Sequence, residues 1–386
     1  MTEWIECTLD KLGEIVGGAT PSTKCEDYYG GSIPWITPKD LSSFKGRYIT
    51  SGERNITEKG LASCSAQMMP KDAVLFTSRA PIGYVAIASQ SVCTNQGFKS
   101  IVVNEKADPL FVYYLLKYNK DAIEAMGSGT TFKEVSGKTM RAVKVRIPLD
   151  VSYQKRIAAV LDSLDTKIEN NERINDNLLA QAQTLYKQFF PYGVQDDLPD
   201  GWRIGTVGEI IEIHDSKRIP LSGADRSKME KKIYPYYGAA SLMDLVDNYI
   251  FDGKYLLLGE DGTVVDDAGY PILQYVRGQF WVNNHAHILT GRLGYDVESL
   301  YMLFKQTPVK SIVTGAVQPK ISQANLRSVQ VVIPPEHNLR EYNDLVEPLF
   351  SLFRANEEEC KTFTALRDTL LPKLMSGEID VSAVQL

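Results

Sequence analysis

The sequence predicts an α+β chain made by internal duplication: two mixed α/β globular domains separated by a two-helix antiparallel coiled coil. Three observations predict it. The stretch Tyr153–Phe190 contains neither glycine nor proline. A twenty-residue window occurs twice. Each copy of that window is followed by a heptad-spaced stretch. The expected layout is a first domain over 1–150, a long helix over 151–194, a second domain over 195–335 and a second long helix over 336–386.

The first long helix is predicted from its apolar spacing. Ile157, Leu161, Leu164, Ile168, Leu178, Ala182, Leu185 and Phe189 follow alternating steps of four and three, skipping Asn171 and Asn175. Such a seam must pack on another helix. A polar residue in a seam costs stability and fixes register, so Asn171 and Asn175 are expected to act that way. At about 1.5 Å per residue the stretch reaches roughly 55 Å, too long for an ordinary buried helix. It carries five basic and five acidic residues and reads as a neutral strut.

The repeat supplies the partner. Gly129–Pro148 (GTTFKEVSGKTMRAVKVRIP) aligns without a gap on Gly315–Pro334 (GAVQPKISQANLRSVQVVIP), with seven identities. Both windows end in an alternating run that predicts a strand with one buried face. Trp4–Ile15 matches Trp202–Ile213 more weakly. Asp108-Pro109 and Asp296 each open an apolar helical run, Asp as N-cap and Pro as first helical residue. The second heptad stretch, His337–Met375, carries Val346, Leu349, Phe353, Asn356, Cys360 and Phe363 on one stripe. Pro348 should kink it. Copies offset by about 185 to 200 residues, packed like a homodimer, imply a pseudo-two-fold axis and hence antiparallel helices. Tyr192–Asp200 is turn-rich and marks a boundary.

Bulk composition narrows the function. The chain has 386 residues, 44% hydrophobic and 23% charged, with no run long enough to span a bilayer. Five scattered cysteines without a CxxC pair fit a reducing cytosol, so a cytoplasmic location is expected. A net charge of −6 argues against a non-specific nucleic-acid glue. The sequence lacks GxxxxGK[ST], GxGxxG after a strand, GxSxG, HExxH and the Asn/Asp-Pro-Pro-aromatic run of amine methylases. His285 and His287 would share one strand face without a third ligand, so no metal site is expected. Asp165-Thr166-Lys167 lies on the strut's polar side. No catalytic residue is assigned, and the chain reads as a binding protein.

The binding chemistry is local. Lys133, Lys138, Arg141, Lys144 and Arg146 are opposed only by Glu134. Lys217, Arg218, Arg226, Lys228, Lys231 and Lys232 are opposed by Asp225 and Glu230. Clustered cations serve phosphate contacts, and Asn, Gln and Arg on loops read base edges. DNA-contact candidates in the first domain are Lys39, Ser78, Arg79, Asn95, Gln96, Lys99 and Lys133. Those in the second are Lys217, Arg218, Tyr237, Asn284, His285, Gln318 and Lys320. Leu164, Ile168, Asn171, Asn175, Leu178, Phe353 and Asn356 are candidates for helix register and subunit docking.

Several segments occur in a familiar order: GGATPS at Gly17–Ser22, IPWITPKDL at Ile33–Leu41, FTSRAPIG at Phe76–Gly83 and TNQGF at Thr94–Phe98. YPYYGA at Tyr234–Ala239, YLLLGEDG at Tyr255–Gly262, WVNNHAHIL at Trp281–Leu289 and LLPKLMSGEID at Leu370–Asp380 follow. With the duplication, this arrangement resembles the specificity subunit of a type I restriction–modification system over nearly the whole chain. The resemblance implies two target-recognition domains, each reading half of a bipartite, asymmetric double-stranded DNA target. The coiled coil would set the unread spacer and dock two copies of a DNA adenine methyltransferase subunit. It leaves open a further restriction/translocase subunit. S-adenosylmethionine, Mg²⁺ and ATP would belong to those partners, with no cofactor in this chain. The competing readings are a self-sufficient methylase or nuclease and a protein scaffold without a DNA role.

Overall fold

A computed structural model describes residues 3–79, 81–129, 133–315 and 317–385. The chain divides into two compact units, one formed by Met1–Glu172 with Glu357–Leu386, the other by Arg173–Asn356. The division cuts both long helices, so each unit owns one end of each.

The first unit holds a five-stranded sheet in the order Gly13–Gly17, Lys99–Val103, Val74–Phe76, Val85–Ala88, Tyr48–Ile49. A three-stranded sheet centres on Tyr29–Ile36. A separate antiparallel pair joins Trp4–Thr8 to Lys144–Pro148. The second unit repeats that pair as Arg203–Thr206 with Gln330–Ile333. Its main sheet has six strands, with Phe251–Gly259 and Leu273–Val282 as the long central hairpin. In both window strands inward Val145, Ile147, Val331 and Ile333 are buried, as alternation requires.

Local chemistry explains the short helices. Asp108 caps Pro109–Tyr118 by accepting from the Phe111 N–H, and Asp296 caps Val297–Phe304 through Ser299. Ser136 and Ser322, identical in the repeat, cap Gly137–Ala142 and Gln323–Ser328. Each cap satisfies an otherwise unpaired amide and contributes about 1 kcal/mol.

The long helices are Val151–Phe189 and Glu336–Ser376. The first starts where the Asp150 carboxylate accepts from the Ser152 N–H at 2.8 Å. In the first unit, Arg367 pairs with Asp165 at 2.8 Å and Asn171 donates to Glu359 at 2.9 Å. In the second, Asn356 donates to Asn175 at 2.8 Å and the Tyr342 hydroxyl to the Ala182 carbonyl at 3.1 Å. Partners descend as residue numbers climb, so the helices run antiparallel. The second helix continues through Pro348 and also through Pro372. Residue 344, whose carbonyl loses its partner to Pro348, is exposed, so water can replace the missing bond.

The cores extend from domain to helix. Phe111, Tyr114 and Leu116 pack in one cluster with Ile157, Leu161, Leu374 and Met375. Phe304, Leu326 and Val331 pack in another with Ala182, Tyr186, Tyr342 and Phe350. Ion pairs reinforce this. Arg47 is buried, with its guanidinium 2.8 Å from Asp162, 3.0 Å from Glu169 and 2.9 Å from the Thr166 hydroxyl. Glu298, also buried, is held by Lys254 at 2.7 Å, Arg354 at 3.0 Å and the Tyr275 hydroxyl at 2.8 Å.

Of the seam residues, Leu164 and Leu178 are buried and Ile168 partly so. Asn175 and Asn356 are each 7% exposed and hydrogen-bonded to one another. Asn171 is half-buried on the flank, so the enclosed polar layer is Asn175–Asn356. Phe353 leaves the seam side to meet Tyr275 and Phe350.

Candidate nucleic-acid interface

In the first unit the candidates gather around one hairpin. Ser128 and Glu134 exchange backbone bonds of 3.0 and 2.8 Å across the loop 129–133. Gly129 stands at φ 129°, a conformation that a side chain would strain, which accounts for a glycine there. The Glu134 carboxylate lies 3.8 Å from both Arg79 Nε and Lys99 Nζ. Both ion pairs are loose, so the cations keep donors for other acceptors. Lys133 is exposed beside them. Asn95 spends its side-chain oxygen on the Gly97 N–H at 2.9 Å, and Gln96 bonds the Thr20 hydroxyl. Lys39 sits in the helix Pro38–Ser42, exposed and paired with Glu53 at 2.7 Å.

Ser78 does not fit the expectation. It is fully buried, and both its N–H and its hydroxyl bond the Gly97 carbonyl. Its role is to hold the loop that presents Arg79. Lys144 and Arg146 are also drawn away: Lys144 pairs with Glu6 at 3.1 Å, and Arg146 lies over the Trp4 ring and donates to the Ser376 carbonyl.

The second unit builds the equivalent place differently. Thr314 and Lys320 exchange backbone bonds of 2.9 and 2.7 Å, and Gly315 has φ 88°. A Cβ on Gly315 would lie 2.3 Å from the Gln318 carbonyl oxygen, so this loop too needs glycine. Gln318, Lys217 and Asn284 are exposed. Lys320 pairs with Glu260 at 3.2 Å, and His285 Nδ1 faces Asp261. His285 precedes the strand Ala286–Gly291 rather than lying in it, because the Asn283 side chain turns the chain by accepting its N–H at 2.8 Å. Tyr237 is half-buried edge-on against Phe280.

Arg218 also departs from its expected role. Its side chain is 13% exposed and committed to Glu260 at 2.5 Å, to Asp215 and to the Asn284 and Ala286 carbonyls. It ties three loops together and has little left for a base. Arg226 and Lys232 are likewise bound to Asp244.

Behind these loops lies a group that sequence reasoning missed. Ligand atoms of Asp215, Glu260 and His287 lie within 4.8 Å of one another, a spacing a metal ion could use. The donor set does not fit one. His287 Nδ1 faces Asp215 at 2.6 Å and Nε2 faces the Ile321 carbonyl at 2.8 Å, so both ring nitrogens are already committed to protein partners. Arg218 and Lys320 already balance the two carboxylates. Burial pulls the Asp215 carboxyl up, but the His287 hydrogen bond and charge, with the Ile288 N–H, hold it below the ordinary range.

The family model described as "Type I restriction modification DNA specificity domain" matches residues 1–180 and again 199–359. The chain belongs to that family. The MjaIX specificity subunit of Methanocaldococcus jannaschii is 31% identical over 410 aligned residues, covering 98% of this chain and 94% of that protein. The EcoR124I/EcoR124II specificity subunit of Escherichia coli is 28% identical over 193 residues, covering 48% of this chain and 46% of that one. The S subunit structure from M. genitalium shares the fold, with TM-score 0.59 at 18% identity over 97% of this chain and 96% of that chain. As a specificity subunit the chain supplies DNA sequence recognition to a type I restriction–modification system, and catalysis belongs to other subunits.

Proposed function

We propose that the two globular domains, 1–150 and 195–335, each read one half of a bipartite, asymmetric duplex target, and that the long helices set the spacer. The supporting observation is that both units close the same antiparallel bridge, Ser128–Glu134 and Thr314–Lys320, with cations beside it, among unrelated surrounding loops. A shared frame with divergent side chains suits two different half-sites. In the first unit the reading set is Arg79, Gln96, Lys99 and Lys133, with Lys39 on the rim. In the second it is Lys217, Asn284, His285, Gln318 and Lys320.

The helices also dock the methyltransferase. Leu345 and Leu352, one heptad apart, are 47% and 48% exposed, and Leu366 is exposed on the same helix. Apolar residues left outside the Asn175–Asn356 seam suit a helix from a partner. Because the chain is duplicated, two copies of a DNA adenine methyltransferase subunit would find equivalent surfaces. S-adenosylmethionine would then reside on those partners, and Mg²⁺ and ATP on a restriction/translocase subunit where one joins, in a cytoplasmic complex.

Genome-wide adenine-methylation mapping tests this reading, in cells carrying the methyltransferase with and without this chain. A bipartite motif that depends on the chain is the expected result. An identical motif without it would overturn the proposal.

A further inference from the structure

The two hairpins are superimposable in sequence. Gly129 aligns with Gly315, so Ser128 aligns with Thr314, Glu134 with Lys320 and Val135 with Ile321. The backbone bonds follow the same alignment. Val135 N–H donates to the Ser78 carbonyl at 2.9 Å, and Ile321 N–H to the Glu260 carbonyl at 2.8 Å. Ser78 is therefore the counterpart of Glu260, and Arg79 of Asp261. The third strand agrees: Arg79 bridges to Glu134, and Asp261 to Lys320.

At these matched positions the charges are reversed. The first unit has Arg79 opposite Glu134; the second has Asp261 opposite Lys320. All four side chains reach solvent, at 48%, 39%, 18% and 49% exposure. Neighbouring groups flank three of the four: Lys99 lies 3.8 Å from Glu134, Glu260 pairs with Lys320 at 3.2 Å, and His285 Nδ1 faces Asp261. Neither pattern is needed to hold the backbone, because the ladder bonds persist through the reversal. A charge reversal at an exposed site with conserved backbone points to what the site meets outside the protein.

We propose that this cross-strand pair, Arg79–Glu134 in one unit and Asp261–Lys320 in the other, is the specificity-determining element of each unit. It rests on the reading of these units as half-site readers. Donor and acceptor demands at base edges explain why the sign matters. A guanidinium donates to guanine O6 and N7, whereas a carboxylate accepts from the cytosine or adenine amino group. Reversing the pair exchanges which edge each strand of the hairpin accepts. The neighbouring Glu260 holds Lys320 in place and is a positioning residue.

The test is the double variant Arg79→Asp/Glu134→Lys in the full chain, expressed with its methyltransferase and read by methylation mapping. Opposite charges still face each other, so the thermal melt should stay within a few degrees of the parent. Methylation of the parent motif should fall about tenfold or more and the bases specified in its first half should change, while those specified in its second half stay the same, since one bidentate base contact discriminates by that much. Arg79→Lys serves as a second variant that keeps charge and pairing but loses the planar fork; it should relax the same half-site without damaging the fold. Both variants folding normally with an unchanged motif would overturn the proposal. A parent chain that directs no bipartite motif would instead remove the half-site reading beneath it.

Discussion

Replacing Asn175 by Leu, alone and together with Asn356→Leu, isolates the polar layer of the coiled coil. In the native seam the Asn356 amide donates to Asn175 Oδ1 at 2.8 Å, and the Asn175 amide donates to the Phe353 carbonyl at 3.1 Å. Asn175→Leu alone leaves the enclosed Asn356 amide without its acceptor, which costs about 1–3 kcal/mol. Burying the new Leu returns about 1.5–2 kcal/mol, less whatever its branched shape strains in the seam. The single variant should therefore lose about 1 kcal/mol. The double variant has no orphaned amide. Two buried Leu side chains outweigh two hydrogen bonds of about 1 kcal/mol each, so it should be more stable than the parent by about 1–2 kcal/mol. Denaturant melts of the four proteins read this coupling. The extra stability comes with loss of register, as for other single polar layers. A seam slipped by one heptad moves about 10 Å, near three base-pair steps. Methylation mapping of the double variant should show spacers that the parent never uses. A double variant no more stable than the single one, with one unchanged spacer, would refute the polar-layer argument.

Four further outcomes are expected. Arg47→Met leaves Asp162 and Glu169 facing each other beside Tyr114. It should destabilise the first unit by about 2 kcal/mol in a denaturant melt, the partial exposure of both carboxylates limiting the cost. The Asp215 carboxyl is held below its ordinary value of 3.8 in the folded state, so its stabilisation is complete above that value and fades as pH falls below it. Melts of the parent should decline as pH falls below about 4, whereas Asp215→Asn should start lower and decline less. Lys99→Ala should weaken binding to random and cognate duplexes alike and lower the salt slope by about one, read by fluorescence anisotropy over a salt series. Leu345→Glu/Leu352→Glu should cut the co-purifying methyltransferase from two copies per chain to one while leaving the melt unchanged.

The architecture was legible because each signal had a local cause. Asp108 and Asp296 cap helices as their sequence context announces, and the alternating runs bury Val145, Ile147, Val331 and Ile333; the repeat identities Ser136/Ser322 and Gly129/Gly315 prove to be caps and positive-φ glycines. All of these depend on residues a few positions apart. The loop sites were less legible because their partners are distant in sequence. Nothing near Ser78 reveals that the Gly97 carbonyl buries it, and nothing near Arg218 announces Glu260 and the Ala286 carbonyl. The His285–His287 pair misled because one-residue alternation was assumed, whereas the turn at Asn283 delays the strand until Ala286. Arg47, Asp215 and Glu298 gave no motif at all. Each is a lone charged residue whose burial is set by long-range packing.

The repeat also separates what packing demands from what recognition leaves free. Between the two windows the identities are a glycine, a helix N-cap, Arg141/Arg327, the helix-ending Val143/Val329, the strand residues Val145/Val331 and Ile147/Ile333, and Pro148/Pro334. Most of these are positions where a change strains backbone, unpairs an amide or opens a cavity, at about 1 kcal/mol or more each. The hairpin-root pairs differ in kind. An exposed ion pair contributes about 0–1 kcal/mol, so exchanging its sign hardly alters stability. The ladder of backbone bonds meanwhile fixes where those side chains stand. A duplicated chain can thus diverge at Arg79/Asp261 and Glu134/Lys320 without passing through an unstable intermediate. Those are the positions at which a reader of two different half-sites has to diverge.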